Sequence, residues 1–207
     1  MTDLEILKFL QQEIHSVVMA VTDENGLPCT TVTDVMLAEE SGLYVLVSQG
    51  NRIYRRLKEN PWISITGILG KTTTALQSVT LKGQIKNLGK SRMDEIFEKN
   101  PYMQAIYPEA KSRRVLEVFC VYKGEGEYLE VRAQNLKREN FSFGGEEIHP
   151  RGYHINEKRC IGCQGCRSVC PVSCISNTFP RVIDQSRCIR CGNCMKICLR
   201  RAVEAAE

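Results

Sequence analysis

Nine of the chain's eleven cysteines fall between Cys160 and Cys198, leaving only Cys29 and Cys120 elsewhere. Eight of the nine form two runs of one pattern, C-x2-C-x2-C-x3-C: Cys160, Cys163, Cys166 and Cys170, then Cys188, Cys191, Cys194 and Cys198. Thiolates bind metals. Disulfide staples would be spread around a fold, whereas a metal centre gathers its ligands. The N-terminal MTDLEILKFLQQE also lacks the basic start and apolar middle of a secretory signal. The clustering favours metal. Structural zinc usually takes two-ligand knuckles from distant parts of a chain. Three thiolates at successive two-residue gaps instead make a short loop that can wrap one face of an iron–sulfur cube, with the fourth cysteine on the next turn, pointing away.

The two runs belong to an internal repeat of 28 residues. RCIGCQGCRSVCPVSCI, from Arg159, aligns with RCIRCGNCMKICLRRAV, from Arg187, so that four cysteines, the leading arginine and the following isoleucine coincide. This resembles the bacterial two-cluster ferredoxins, in which the fourth cysteine of each run ligates the other cluster. The resemblance implies one [4Fe–4S] cluster on Cys160, Cys163, Cys166 and Cys198, and a second on Cys188, Cys191, Cys194 and Cys170. Proline after the fourth cysteine is present as Pro171 but replaced by Leu199 in the second half. Proline ligates nothing, so an altered environment is expected rather than a missing cluster. Cys174 is a fifth cysteine whose repeat partner is Ala202. It reads as a small packing residue near a cluster, with a ligand swap or redox thiol as the alternative. Cys29 and Cys120 read as core residues.

From Arg151 onward ten Lys/Arg face four Asp/Glu, a surplus of +6, while residues 1–150 carry −2. A basic tail is one signature of a nucleic-acid partner. Here each cluster with its four thiolates carries about −2, so two sites offset much of that surplus. Nucleic acid is therefore not the expected partner, and no apolar run is long enough to span a bilayer.

Residues 1–150 must supply what such an electron store serves. Thr2-x-x-Glu5 reads as a capping box ahead of a helix with Leu4, Leu7, Leu10 and Ile14 at helical spacing. Strands are expected at SVVMAVT, CTTVTDVML, LYVLVS, WISITGIL, SVTLKGQI, LEVFCVY and GEYLEV, with a helical region around Ser91 to Tyr107. Many antiparallel strands with few helices predict a small barrel. Phe141 to Asn156, with two glycines, a proline and little periodicity, reads as the connecting stretch. The expected division is a barrel domain over 1–146, a linker over 147–156 and the cysteine domain over 157–207.

No G-x-G-x-x-G follows a strand, so a Rossmann dinucleotide site is unsupported. LYVLVS does run through SQGNR into an expected helix, NRIYRRLKEN, capped by Asn51 and closed by Pro61. Such a turn suits a phosphate: Ser48 and Asn51 add donors, Gly50 allows close approach and Arg52 supplies charge. His15, His149 and His154 are possible acid–base groups, but no placed partner is visible for any of them.

The order FLQQEIHSVVMAV, GLPCTTVTDVML, GLYVLVSQGNRIYRRLKENPWISITG, VTLKGQI, LEVFCVYKGEGEYLEV and FSFGGEE, over roughly residues 4 to 146, resembles the pyridoxamine 5′-phosphate oxidase-like superfamily, and within it the nitroimidazole-resistance-type branch. The resemblance implies a mainly β fold with some α: a six-stranded antiparallel split β-barrel, joined here to a small α+β ferredoxin-like domain. It implies a homodimer holding FMN in the dimer crevice, with phosphate contacts at Ser48, Asn51 and Arg52. Thr31, Val32 and Thr33 would face the isoalloxazine, and Gln77 and Ser78 match a strand that also reaches the flavin. The oxidase's Arg-Lys pair is Arg52-Ile53 here, and Ser78 and Thr80 replace the tryptophan and arginine common in the nitroimidazole branch. The pyridoxamine phosphate reaction is not supported, and no catalytic residue is assigned.

The expectation is thus a cytoplasmic FMN-dependent oxidoreductase. Its two clusters exchange single electrons with the flavin and with a redox partner protein or small-molecule acceptor. The alternative is a non-catalytic electron carrier or redox sensor that uses the barrel for dimerisation and docking.

Overall fold

The computed structural model describes residues 1–133, 135–149 and 151–206. The chain divides into two compact units: one of residues 1–71, 76–128 and 140–148, the other of 72–75, 129–139 and the residues from His149 onward.

The chain opens with α1 (Asp3–Phe9), started by the expected capping box: the Thr2 hydroxyl accepts from the Glu5 N–H, and the Glu5 carboxylate accepts from the Thr2 N–H. A wider turn over Leu10–Ile14 follows and ends at His15, whose φ is +61°. Then come β1 (Ser16–Thr22), β2 (Pro28–Glu39), β3 (Gly42–Ser48), α2 (Tyr54–Glu59), β4 (Trp62–Thr72) and β5 (Ala75–Gly89). Two short helices, α3 (Met93–Lys99) and α4 (Met103–Ile106), lead to β6 (Leu116–Arg132) and β7 (Asn135–Phe143).

Seven antiparallel strands form one sheet in the order β3-β2-β1-β4-β5-β6-β7, and β3 pairs again with β6. That second pairing closes six strands into a ring, as expected, and leaves β7 attached outside β6. The ring encloses Val17, Met19, Val35, Leu43, Val45, Ile65, Val79, Phe119 and Val121, against which Ile6, Leu7 and Leu10 pack. LYVLVS is a continuous apolar run because both its faces are covered. Leu43, Val45 and Val47 point into the barrel, while Tyr44 and Leu46 meet Ile96, Phe97 and Met103 from α3 and α4. At the β2–β3 turn Gly42 has φ +128°, and a Cβ there would collide with the Val121 carbonyl of β6. Only glycine permits both the turn and that close approach.

LEVFCVY and GEYLEV, expected as two strands, are one: β6 runs through Lys123-Gly124-Glu125-Gly126 without turning. A Cβ on Gly124 or Gly126 would strike the carbonyl of Lys82 or Thr80 on β5. These glycines mark close strand packing rather than a turn. Phe141 and Phe143, placed in the connecting stretch by the sequence reading, are buried on β7.

In the second unit β8 (Gly152–Ile155), within the expected linker, pairs antiparallel with the later β9 (Val203–Ala206). Between them lie α5 (Gly165–Ser168) and α6 (Asn193–Ile197), one in each repeat. Gln164 and Gly192, partners in the repeat, precede these helices with φ of +67° and +76°. The repeat thus extends to the backbone. The buried core here is small: Cys174, Ile175, Ile183, Cys188, Cys194 and Val203. Among the described residues, no helix is long and apolar enough to cross a membrane.

Candidate metal centres and barrel site

The eight repeat cysteines line two separate spaces. One is bordered by Cys170, Cys188, Cys191 and Cys194; the other by Cys160, Cys163, Cys166 and Cys198. In each case three cysteines come from one run and the fourth from the other. The local cause is visible in the helices. The left-handed residue Gln164 turns the chain between Cys163 and α5, which carries Cys166, and Cys170 follows directly after the C-cap Val169. The same geometry recurs at Gly192 for Cys191 and Cys194.

Among the described residues no three His, Cys, Asp or Glu side chains converge tightly enough for a single metal ion. Instead, four thiols of the repeat border each space. An all-thiol donor set around such a space fits an iron–sulfur cluster. Backbone N–H groups also point at the sulfurs: Cys174 N–H to Cys170 Sγ at 3.4 Å, Ala202 N–H to Cys198 Sγ at 3.2 Å and Arg190 N–H to Cys188 Sγ at 3.4 Å.

Cys174 borders the space of Cys170, and the two Sγ atoms are 3.5 Å apart. Burial, then the neighbouring Cys170, push the Cys174 thiol well up from its ordinary range, which keeps its proton on. Against the cost of its own burial, backbone N–H groups at Cys174 and Val172 draw Cys170 down toward the thiolate. Cys120 is buried in the barrel unit, and Cys29 is half-buried against its core.

The C-terminal segment matches the model of the 4Fe-4S binding domain over residues 153–176 and 181–198. The tail is similar to 4Fe-4S binding domains.

In the barrel, SQGNR joins β3 to α2 as expected, but the helix is short and begins at Tyr54 with Ile53 at its N-cap. Asn51 does not cap it; its Oδ1 accepts from the Ile53 N–H and closes a tight turn. Anion binding here would therefore rest on side chains rather than on a helix end. Arg52 Nη2 donates to the Thr30 carbonyl at 2.9 Å, which brings the turn against β2, where Thr31, Val32 and Thr33 follow. Gly50 is exposed, with no heavy atom within 4 Å of where a Cβ would stand. Exposed Asn51 and Arg52, with half-buried Ser48 and an open glycine in the same turn, fit a phosphate. Gln77 and Ser78 sit on β5, separated from β2 around the ring by β1 and β4. Gln77 Nε2 donates to the Tyr128 hydroxyl at 2.6 Å. The residues expected to face a flavin therefore lie on two strands that are not neighbours.

Two constellations escaped the sequence reading. Glu117 on β6 accepts from Tyr54 Oη at 2.7 Å, Gln49 Nε2 at 2.9 Å and Asn87 Nδ2 at 2.5 Å. These bonds, Asn87 first, hold its carboxyl down at about 2, and through Gln49 they brace SQGNR. His15 Nε2 lies 2.7 Å from the Tyr102 hydroxyl, which donates to Asp34 at 3.0 Å. His15 is thus not isolated, but its partners are 19 and 87 residues away along the chain. His154 pairs with Glu204 at 2.9 Å across the β8–β9 ladder.

Solved structures share the barrel's fold. A NimC/NimA family protein from Clostridium acetobutylicum is 18% identical, with a TM-score of 0.56 over 68% of this chain and 92% of its own. A protein of the pyridoxinephosphate oxidase family from the same organism, related to general stress protein 26, is 17% identical, with a TM-score of 0.52 over 68% and 92%. A curated relative, dihydrophenazinedicarboxylate synthase from Pseudomonas chlororaphis, is 28% identical over 149 residues. That match spans 72% of this chain and 61% of the relative. The barrel shares the fold of these two solved proteins.

Proposed function

We propose that this protein is an iron–sulfur flavoprotein oxidoreductase, with two [4Fe–4S] clusters in the 4Fe-4S binding domain and FMN on the barrel. The clusters would carry single electrons, and the flavin would trade them in pairs with a small molecule. The observation that carries this reading is the union in one chain of a split barrel with eight cysteines set around two spaces.

Cys160, Cys163, Cys166 and Cys198 would hold one cluster, and Cys170, Cys188, Cys191 and Cys194 the other. Ser48, Asn51 and Arg52 would take the FMN phosphate, with Gly50 leaving room, while Thr31, Val32 and Thr33 face the ring. Gln77 and Ser78 would reach that ring from a second copy, since one chain holds the two groups apart. A homodimer is further supported by an exposed apolar row on the barrel. Val32 of β2 is 69% exposed beside Val18 of β1 at 44%, and Trp62 and Ile68 of β4 are also exposed. Such a patch on a folded domain is commonly covered by a partner. Thiol-ligated clusters need reducing conditions, which supports the cytoplasm. The relative's name, a dihydrophenazinedicarboxylate synthase, is in keeping with a small organic molecule as the substrate.

Ser78 and Thr80, in place of the larger residues of the nitroimidazole branch, favour a second reading: an electron carrier or redox sensor without turnover, with a partner protein as its redox mate. The deciding experiment is anaerobic purification with iron, sulfide and flavin counts, followed by assay with small acceptors. About eight iron, eight sulfide and one FMN per chain, with turnover lost in Arg52→Ala, support the enzyme. Full cluster loading with no flavin and no turnover supports the carrier.

A further inference from the structure

The 28-residue repeat relates the walls of the two cysteine-lined spaces as well as their ligands. Ile155 and Ile161 border the first-run space where their repeat partners Ile183 and Ile189 border the other. The walls part company in charge. Tyr153 and Val172 line the space of Cys170, Cys188, Cys191 and Cys194; their repeat partners Arg181 and Arg200 line that of Cys160, Cys163, Cys166 and Cys198. Among the described residues, no carboxylate borders either space.

Arg181 is only 6% exposed, rare for an arginine. Its Nη1 and Nη2 donate to the carbonyls of Ser176 and Gly162, each at 3.0 Å. Its Nε is buried with no hydrogen-bond partner. Two neutral carbonyls fix the guanidinium without cancelling its charge. Arg200 is exposed and screened by water, so its effect is the smaller one.

We propose that Arg181 makes the two sites unequal, so that the site of Cys160, Cys163, Cys166 and Cys198 has the higher reduction potential. This rests on the reading that both sites hold [4Fe–4S] clusters. Reduction adds one electron to a site already near −2, breaking no bond, and a buried cation at its wall favours the more negative form. N–H···S bonds act at both sites, and those that reach the second, through Cys170 and Cys188, pull the other way. Those two are long, at 3.4 Å, and carry partial charges, whereas Arg181 brings a full charge out of water. The cation dominates, and one electron given to the pair settles at the first site.

The test is a redox titration of the reconstituted full chain, followed by electron paramagnetic resonance, with iron and sulfide counted beforehand. Counts below two clusters in the unaltered protein defeat the cluster reading itself. With two clusters loaded, two midpoints are expected. Arg181→Tyr, the residue at the repeat position, should lower only the higher one. The expected change is on the order of tenfold in its reduction equilibrium, about 59 mV for one electron. Arg181→Lys should keep the separation. Coincident midpoints in the unaltered protein, a shift confined to the lower midpoint, or equal shifts in the Tyr and Lys variants overturn the proposal. Should Arg181→Tyr fail to load, Arg181→Gln, which removes the charge but keeps a donor for the carbonyls of Ser176 and Gly162, must still lower the same midpoint; no shift there overturns it equally.

Discussion

The backbone N–H of Ala202 donates to Cys198 Sγ at 3.2 Å, one repeat beyond the N–H of Cys174, which reaches Cys170 Sγ at 3.4 Å. The last cysteine of each run is thus held by the turn that follows it, while its thiol borders the space of the opposite run. Cys170→Ser should therefore damage the cluster of Cys188, Cys191 and Cys194 and spare the other, and Cys198→Ser should do the reverse. Iron counts and low-temperature spectra of the two variants check this. Damage confined to the run carrying the mutation would contradict the crossover.

Cys174→Ala should leave both clusters in place. The bond to Cys170 comes from the backbone of residue 174, and the repeat already places alanine at the equivalent position 202. Removing one buried thiol costs on the order of 1 kcal/mol in packing. Iron content and cluster spectra should match those of the unaltered protein; loss of about half the iron would make Cys174 a ligand.

Arg52→Ala should weaken FMN binding by about 10- to 100-fold, the worth of a charge-assisted hydrogen bond at roughly 1.5–3 kcal/mol. Riboflavin lacks the phosphate, so its affinity should barely change. Fluorescence titration of the barrel with both flavins separates the outcomes, and an equal loss for the two would remove Arg52 from the phosphate site.

Glu117 predicts a pH dependence. Its carboxyl is held at about 2 in the fold, below the ordinary 4.5, by Asn87, Tyr54 and Gln49. A depressed carboxyl contributes stability in full above its unfolded value, and that contribution fades as pH falls from about 4.5 toward 2. Trp62, the single tryptophan, lies in the barrel and reports its unfolding without interference from the tail. The denaturation midpoint should drop over this range in the unaltered protein and drop less steeply in Glu117→Gln.

The grouping of eight cysteines around two spaces was legible in the sequence because cysteine spacing is local and repeats. The barrel's strands were legible where both faces are apolar, as in LYVLVS. Gly124 and Gly126 misled because glycine in a strand and glycine in a turn look alike until the neighbouring Thr80 and Lys82 carbonyls are seen. The strand at Gly152–Ile155 was hidden because its four residues gain meaning only from pairing with Val203–Ala206. Asn51 has a capping residue's chemistry, yet the chain spends it on a tight turn. The Tyr153–Arg181 relation lay within reach: extending the repeat six residues ahead of Arg159 and Arg187 pairs them. His15 with Tyr102, and Glu117 with Tyr54 and Asn87, are products of folding that no local pattern carries.

The central claim is that clusters and flavin form one electron path. Its most direct test is the rate of flavin reduction by a low-potential one-electron donor, measured anaerobically by stopped flow, in the loaded protein and in Cys163→Ser/Cys191→Ser. The account predicts rapid flavin reduction in the first and a large loss of rate in the second, with FMN still bound. Equal rates, or a flavin that stays oxidised beside reduced clusters, would contradict it.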